Sequence, residues 1–173
     1  ENFQYQTKEY IATLQLGATT PSFDAELPVN ATYEVEHITR SLIDEVIPKF
    51  VGEIWQIPPV YSAVKVDGKR AYDYARDGQE VELKSKLLVI DEIEVLDFTL
   101  PVLKIRVVCS KGTYIRALAR DIGEALRSGA YLVGLERTRI GEVRIEDCWK
   151  IDELVSHVEH EILFGQNLVV EGN

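Results

Sequence analysis

Apolar residues recur at every second position in Tyr10, Ala12, Leu14 and Leu16, and this alternation predicts a half-buried strand that stops at Gly17. A polar loop with two Pro follows, GATTPSFDAELPVNA. Ile38, Leu42, Val46 and Phe50 then step by four, a helical stripe that Thr39 can cap and that Ile38 can staple to Ile43. Pro58-Pro59 forces extended backbone before a strand over 61–66, and Asp67-Gly68 suits a tight turn. Residues 69–77 read as a short helix stopped by Gly78. One or two strands are expected over 79–97 and another over 103–109, where Leu103, Ile105, Val107 and Cys109 alternate. Ser110-Lys111-Gly112 turns the chain into a helix with Thr113 as N-cap and Ile115, Leu118, Ala119, Ile122 and Leu126 as its apolar face. Strands near 132–135 and 140–144 and a helix over about 151–164 complete the pattern. Strands with helices at irregular intervals predict an α+β fold with a mixed, mainly antiparallel sheet. A doubly wound dinucleotide fold lacks its regular alternation and its Gly-rich first turn.

The 173 residues fit one domain or a large part of one, and 46% hydrophobic residues suffice for a core. No run reaches the roughly 18 apolar residues of a membrane span, and the first residues lack the order of a signal peptide. A cytoplasmic location is expected. Cys109 and Cys148 are too few for a disulfide framework, and with three scattered His they give no zinc spacing. There is no Met, so a chain that was trimmed, was cleaved or begins partway through a longer reading frame is expected. The net charge of −10 argues against a nucleic-acid partner taken whole. Its distribution argues otherwise. Residues 1–60 carry nine acids and three bases, and 146–173 carry seven and one, whereas 101–120 hold five bases and no acid. Scattered solvated charges would give the same count.

Three places could carry chemistry. The turn Cys109 to Arg116 leads into a helix start, where free N–H groups and Lys111 favour an anion, although most such turns bind nothing. It has no P-loop spacing. On a helical projection Arg116 falls about 100° from Ile115, on the flank beside Gly123, where a guanidinium can lay its stem on apolar surface and aim its fork at a carboxylate or phosphate. Gly123 leaves room for something to approach. Residues 56–76 hold three Tyr, among them Tyr61, and four bases, Lys65, Lys69, Arg70 and Arg76, against two acids. Aromatic faces among cations suit looped RNA, and they are also common on ordinary strands and helices. No G-x-S-x-G occurs; His37, His157 and His160 read as surface residues, and Asp91-Glu92 and Glu146-Asp147 as solubilising strand-end charges.

QIPPVYSAVKVDGKRAYDYARDGQEV, followed some 30 residues later by VCSKGTYIRALARDIGEALRSGAYLVGLERTRIGEV, closely resembles the bacterial TruB family of tRNA pseudouridine synthases. The resemblance runs in weaker form from about Tyr5 to Arg144. It implies the pseudouridine synthase fold, a cleft and isomerisation of uridine 55 in the T loop of tRNA, with no metal or organic cofactor and a monomeric enzyme. In that family the uracil is flipped out, detached from its ribose and rejoined through C5, with an Asp as the essential residue. By position, Tyr10 resembles the family's Tyr that stacks on the base, and Arg116 the Arg that pairs with the catalytic Asp. Tyr114 and Leu135 resemble the other pocket walls. Tyr61, Lys65, Lys69, Arg70 and Arg76 would close over the T arm, and Lys111 would meet phosphate. The family's G-[ST]-L-D-P-L-A-[ST]-G motif, its base-flipping His and the RNA-binding PUA domain of many members find no counterpart here. The resemblance therefore implies a partial catalytic domain that lacks its nucleophile and is inactive alone. A non-catalytic RNA-binding or tRNA-folding module and a guide-RNA-dependent relative are the alternatives.

Overall fold

The alternation at the start of the chain forms β1, Lys8–Leu16, with Tyr10, Ala12, Leu14 and Leu16 all buried on one face. The computed structural model describes residues 7–62, 65–66, 68–76, 83–140 and 143–144. After β1 come the two-residue strands β2 (Ala18–Thr19) and β3 (Ala31–Thr32), helix α1 (Arg40–Val46), a 3-10 turn over Ile47–Phe50, and β4 (Gly52–Gln56). The strands β5 (Lys65–Val66) and β6 (Lys69–Arg70), helix α2 (Ala71–Arg76), and the long pair β7 (Lys86–Thr99) and β8 (Val102–Cys109) follow. Helix α3 (Ile115–Ala125), β9 (Ala130–Ile140) and β10 (Val143–Arg144) end the described chain.

Six strands join in the order β10-β9-β1-β8-β7-β4, and each of these pairings is antiparallel. The core lies on one face of this sheet. Leu103, Ile105, Val107 and Cys109 of β8 line up beside β1, and Ile115, Leu118, Ala119, Ile122 and Leu126 of the α3 region join the same cluster. Each such Leu or Ile, fully buried, contributes roughly 1.5–3 kcal/mol. The apolar stripe before Gly52 behaves as expected: Leu42 N–H donates to the Thr39 hydroxyl at 3.1 Å, and Ile38 and Ile43 are both buried.

Several boundaries differ from the sequence reading. Of the expected strand over 61–66, residues 65–66 form a strand and 61–62 do not, and the helix expected from 69 starts at Ala71, because Lys69 and Arg70 pair back onto Val66 and Lys65. Gly68, at φ +81°, makes that reversal possible. The region 79–97 is one strand from Lys86 to Thr99 where described, and the two strands expected over 132–144 are largely one, held along its length by β1. Glu92 is mid-strand, not at a strand end. Strand β4 was not expected from the sequence. Residues 151–164, expected as a helix, lie outside the described residues, as do His157, His160 and Cys148.

Thr113 is not the N-cap of α3. Tyr114 holds that position without a side-chain cap, and the Thr113 hydroxyl donates instead to the Ser110 carbonyl at 2.9 Å. The capping is done from elsewhere: Gln56, buried at the end of β4, accepts from Tyr114 N–H at 2.9 Å and donates to Tyr114 C=O at 3.2 Å. What approaches Gly123 is main chain. A Cβ there would lie 2.5 Å from Ala130 N and 2.7 Å from Gly129 C, so this glycine lets β9 begin directly against α3. At the other end of α3 the His37 ring reaches the Leu126 carbonyl at 2.8 Å, so His37 is half-buried with a structural contact.

Candidate active site

Arg116 is buried, 3% exposed, not on a flank. Two loops cover it. One runs from Thr20 to Glu26, and there Asp24 is fixed by three local bonds: its Oδ1 accepts from the Ser22 hydroxyl at 2.6 Å and from Glu26 N–H at 3.0 Å, and its carbonyl accepts from the Thr20 hydroxyl at 2.6 Å. The Asp24–Leu132 bridge ties this loop to β9. Asp24 Oδ2 then faces Arg116 Nη1 at 3.8 Å, with both side chains buried. The second loop, 57–62, hands the Tyr61 carbonyl to Arg116 Nη2 at 2.6 Å, while Nη1 donates to the Ser22 carbonyl at 3.0 Å. A buried guanidinium is sustained by such charge-assisted bonds, and a Lys with three donors on one nitrogen cannot reproduce their spread.

One turn further along α3, Arg120 repeats the arrangement. It donates to the Ile57 carbonyl at 2.8 Å, pairs with Asp121 at 2.9 Å and lies 5.7 Å over the Phe23 ring. Two arginines four residues apart on the helix thus hold two carbonyls four residues apart in the loop. Phe23 sits at φ +60°, a left-handed conformation disfavoured for a bulky residue.

Tyr10 is buried on β1, and its hydroxyl accepts from Arg137 Nε at 3.1 Å while the guanidinium carbon stands 5.4 Å from the ring. Leu135 lies opposite Ala12 on the same pair of strands, so Tyr10, Arg137 and Leu135 share one sheet face. Tyr114 is buried beside Arg116, with its main chain held by Gln56. Lys111 is exposed in the turn before α3, and the Lys86 ammonium reaches the same turn, 3.2 Å from where a Gly112 Cβ would be. Lys65 and Arg70 are register partners in the β5–β6 hairpin; Lys69 is half-buried there, Arg70 is exposed, and Arg76 pairs with Asp73 on α2. Of the predicted set, the structure joins Arg116 to Tyr61. Lys65, Lys69, Arg70 and Arg76 belong to the β5–β6 hairpin and α2.

Asp24, Arg137 and Gln56 are the residues that sequence reasoning passed over. Asp24 lies in an irregular polar loop and Gln56 is 58 positions from its partner, so neither belongs to a local pattern. A groove of about 520 Å³ between β4 and α3, lined by Trp55, Ile57 and Arg120, holds none of the predicted residues. On the other face of the sheet Arg106 bonds Glu94 and Glu9, each at 2.8 Å, and also Glu92; these three carboxylates, Glu94 foremost, raise its pKa. Burial pushes the Cys109 thiol up to about 12, which leaves it a poor nucleophile. Among the described residues no cluster suits a metal ion, and no helix is long and apolar enough to cross a membrane.

An antiparallel sheet with a few helices is the architecture to which the comparisons also point. The family described as "TruB family pseudouridylate synthase (N terminal domain)" matches residues 1–115. The chain is 66% identical over 161 residues to tRNA pseudouridine synthase B of Phocaeicola vulgatus, covering 93% of this chain and 68% of that protein. It is 71% identical over 148 residues to the protein of the same name from Bacteroides fragilis, covering 86% and 64%. The chain belongs to the TruB family of pseudouridine synthases. Among solved structures, a Cbf5-Nop10-Gar1 complex superposes with a TM-score of 0.54 at 26% identity, over 85% of this chain and 38% of that one. An H/ACA RNP bound to a substrate RNA containing 2'-deoxyuridine gives 0.53 at 25%, over 82% and 30%. These confirm the α+β pseudouridine synthase fold.

Proposed function

We propose that the protein binds the T arm of tRNA and isomerises the uridine at position 55 to pseudouridine. In this reaction the C1′–N1 bond breaks, the uracil turns, C1′ bonds to C5, the C5 proton leaves and N1 gains one, so no co-reactant is consumed. No metal or organic cofactor is needed. The carrying observation is the buried Arg116, braced by Asp24 and by two main-chain carbonyls. A cation so fixed orients a carboxylate at the reacting sugar with little reorganisation. Tyr10 supplies a face for the base, Leu135 and Tyr114 wall the pocket, and Arg137 orients the Tyr10 hydroxyl. Tyr61, Lys65, Lys69, Arg70 and Arg76 close on the T arm, and Lys111 meets phosphate. The protein acts as a cytoplasmic monomer.

None of the Asp residues in these 173 stands in the family's catalytic motif, so we assign the nucleophile to a segment outside them and expect the 173-residue chain alone to form no product. Pseudouridine made by it from an unmodified tRNA transcript would overturn that assignment. For the intact protein the same assay carries the main reading: product should form on the transcript and vanish when uridine 55 is replaced by cytidine. Saturable T-arm binding without product would instead support the non-catalytic module. Identities of 66% and 71% to named tRNA enzymes, against 25–26% to the ribonucleoprotein structures, favour the stand-alone enzyme over a guide-RNA-dependent one.

A further inference from the structure

Two arginines one turn apart on α3 bridge the same two loops. Arg116 donates to the Ser22 carbonyl of the 20–26 loop at 3.0 Å and to the Tyr61 carbonyl of the 57–62 loop at 2.6 Å. Arg120, on the same side of the helix, lies 5.7 Å over the Phe23 ring of the first loop and donates to the Ile57 carbonyl of the second at 2.8 Å. Phe23 is fixed for this by its own main chain, whose N–H donates to the Thr20 carbonyl at 3.1 Å and whose carbonyl accepts from Leu132 N–H at 2.9 Å. It keeps its left-handed φ of +60° there, and strain of that kind clusters at functional sites. Arg116 closes the inner end of this double tie and Arg120 the outer end, with 3% and 16% of their side chains exposed. The stretch that Arg120 holds lies at the surface: Ile57 and Val60 are exposed and Tyr61 is half-buried.

We propose that Arg120 is a positioning residue for RNA binding: by tying Ile57 to Phe23 it sets the surface part of the 57–62 loop, and with it Tyr61, in the form that receives the T arm. This rests on the tRNA reading given above. Arg120 touches no reacting atom and acts through the loop. Its effect is on a population. With Arg120 present, the free protein already holds the loop as RNA needs it; without Arg120 the tie at Ile57 is gone, and a fraction of the molecules keeps the receptive form. Binding then has to restore the loop, so Kd rises by the inverse of that fraction, whereas the RNA-bound protein has its loop in place and reacts at the usual rate.

The test uses the intact protein, a T-arm stem-loop RNA, and the variants Arg120→Ala, Arg120→Gln and Asp121→Asn. RNA Kd at several salt concentrations and the single-turnover rate of pseudouridine formation at saturating RNA are measured for each. One charge-assisted bond shifts such an equilibrium by about ten-fold or more. Arg120→Ala should therefore raise Kd about ten-fold, leave the saturated rate within about two-fold of wild type, and keep the salt dependence of binding. Arg120→Gln, which loses the charge and the fork, should do the same, and it decides by the same numbers if the Ala variant does not fold. Asp121→Asn, whose Oδ1 can still accept from Arg120 Nε, should bind like wild type. An unchanged Kd in the Arg120 variants would overturn the proposal. So would a saturated rate that falls as far as the affinity, or a salt slope reduced by about one, the mark of a direct phosphate contact. Binding by Asp121→Asn as weak as that of Arg120→Ala would overturn it as well, since the ion pair and not the loop tie would then be at work. Wild-type protein that binds no T-arm RNA refutes the tRNA reading and the proposal with it. Wild-type protein that binds RNA but forms no product refutes the enzyme reading alone, and the Kd comparison still decides.

Discussion

Arg116 and Asp24 face each other at 3.8 Å with 3% and 2% of their side chains exposed, and a double-mutant cycle can read that interaction directly. With an effective dielectric of about 20, opposite charges at this distance attract by about 4 kcal/mol before desolvation. Asp24→Asn removes the charge yet leaves an Oδ1 that can still accept from the Ser22 hydroxyl and Glu26 N–H. It should cost roughly 2–4 kcal/mol. Arg116→Ala also deletes the bonds to the Ser22 and Tyr61 carbonyls, and at about 1.5–3 kcal/mol for each charge-assisted bond its cost should be larger. The sign of the double variant is the distinctive point. Once the guanidinium is gone, the Asp24 charge loses its compensation, so adding Asp24→Asn to Arg116→Ala should restore stability. Urea denaturation of the intact protein, followed by tryptophan fluorescence, would measure a coupling of about 2–4 kcal/mol. Costs that add to within about 0.5 kcal/mol would refute the pairing.

Gly123→Ala, which in an ordinary helix would stabilise by about 1 kcal/mol, should destabilise this protein, because its Cβ would meet the Ala130 backbone at 2.5 Å; thermal melting with an unchanged or higher Tm would contradict this. Arg106→Gln should cost about 2–3 kcal/mol, since Glu9 is buried and loses its guanidinium while Glu92 and Glu94 lose theirs in solvent; denaturation showing under 0.5 kcal/mol would place the cluster among inert surface pairs. The Cys109 thiol, with its pKa raised by burial from 9.0 to about 12, contributes stability that is full below pH 9 and is lost as pH climbs from about 9 towards 12. Cys109→Val should flatten that part of the stability profile, and a wild-type profile already flat there would refute the burial argument.

What could be read from sequence was whatever depends on neighbours along the chain. The alternation in β1 and β8 and the Thr39 cap of α1 are local and came through intact. The helical projection gave Arg116 a direction but could not know that residues 20–26 and 57–62 fold over it. Thr113 looked like a cap because it precedes an apolar helix; the actual partner of the helix start is Gln56, which no local pattern can supply. Strand β4 escaped notice because its polarity is inverted, with Trp55 exposed and Gln56 buried. The motif around Arg116 made the family legible, whereas Asp24 and Arg137 became visible only when their loop and strand were placed in space.

Arg116 and Arg120 hold the 57–62 loop by carbonyl oxygens, a group that every amino acid possesses. Neither of these two bonds uses a side chain of the loop, so replacing Ile57 or Tyr61 leaves both acceptors in place. Sequence change at these positions therefore keeps the two main-chain tethers of the loop to α3, whichever side chain stands there.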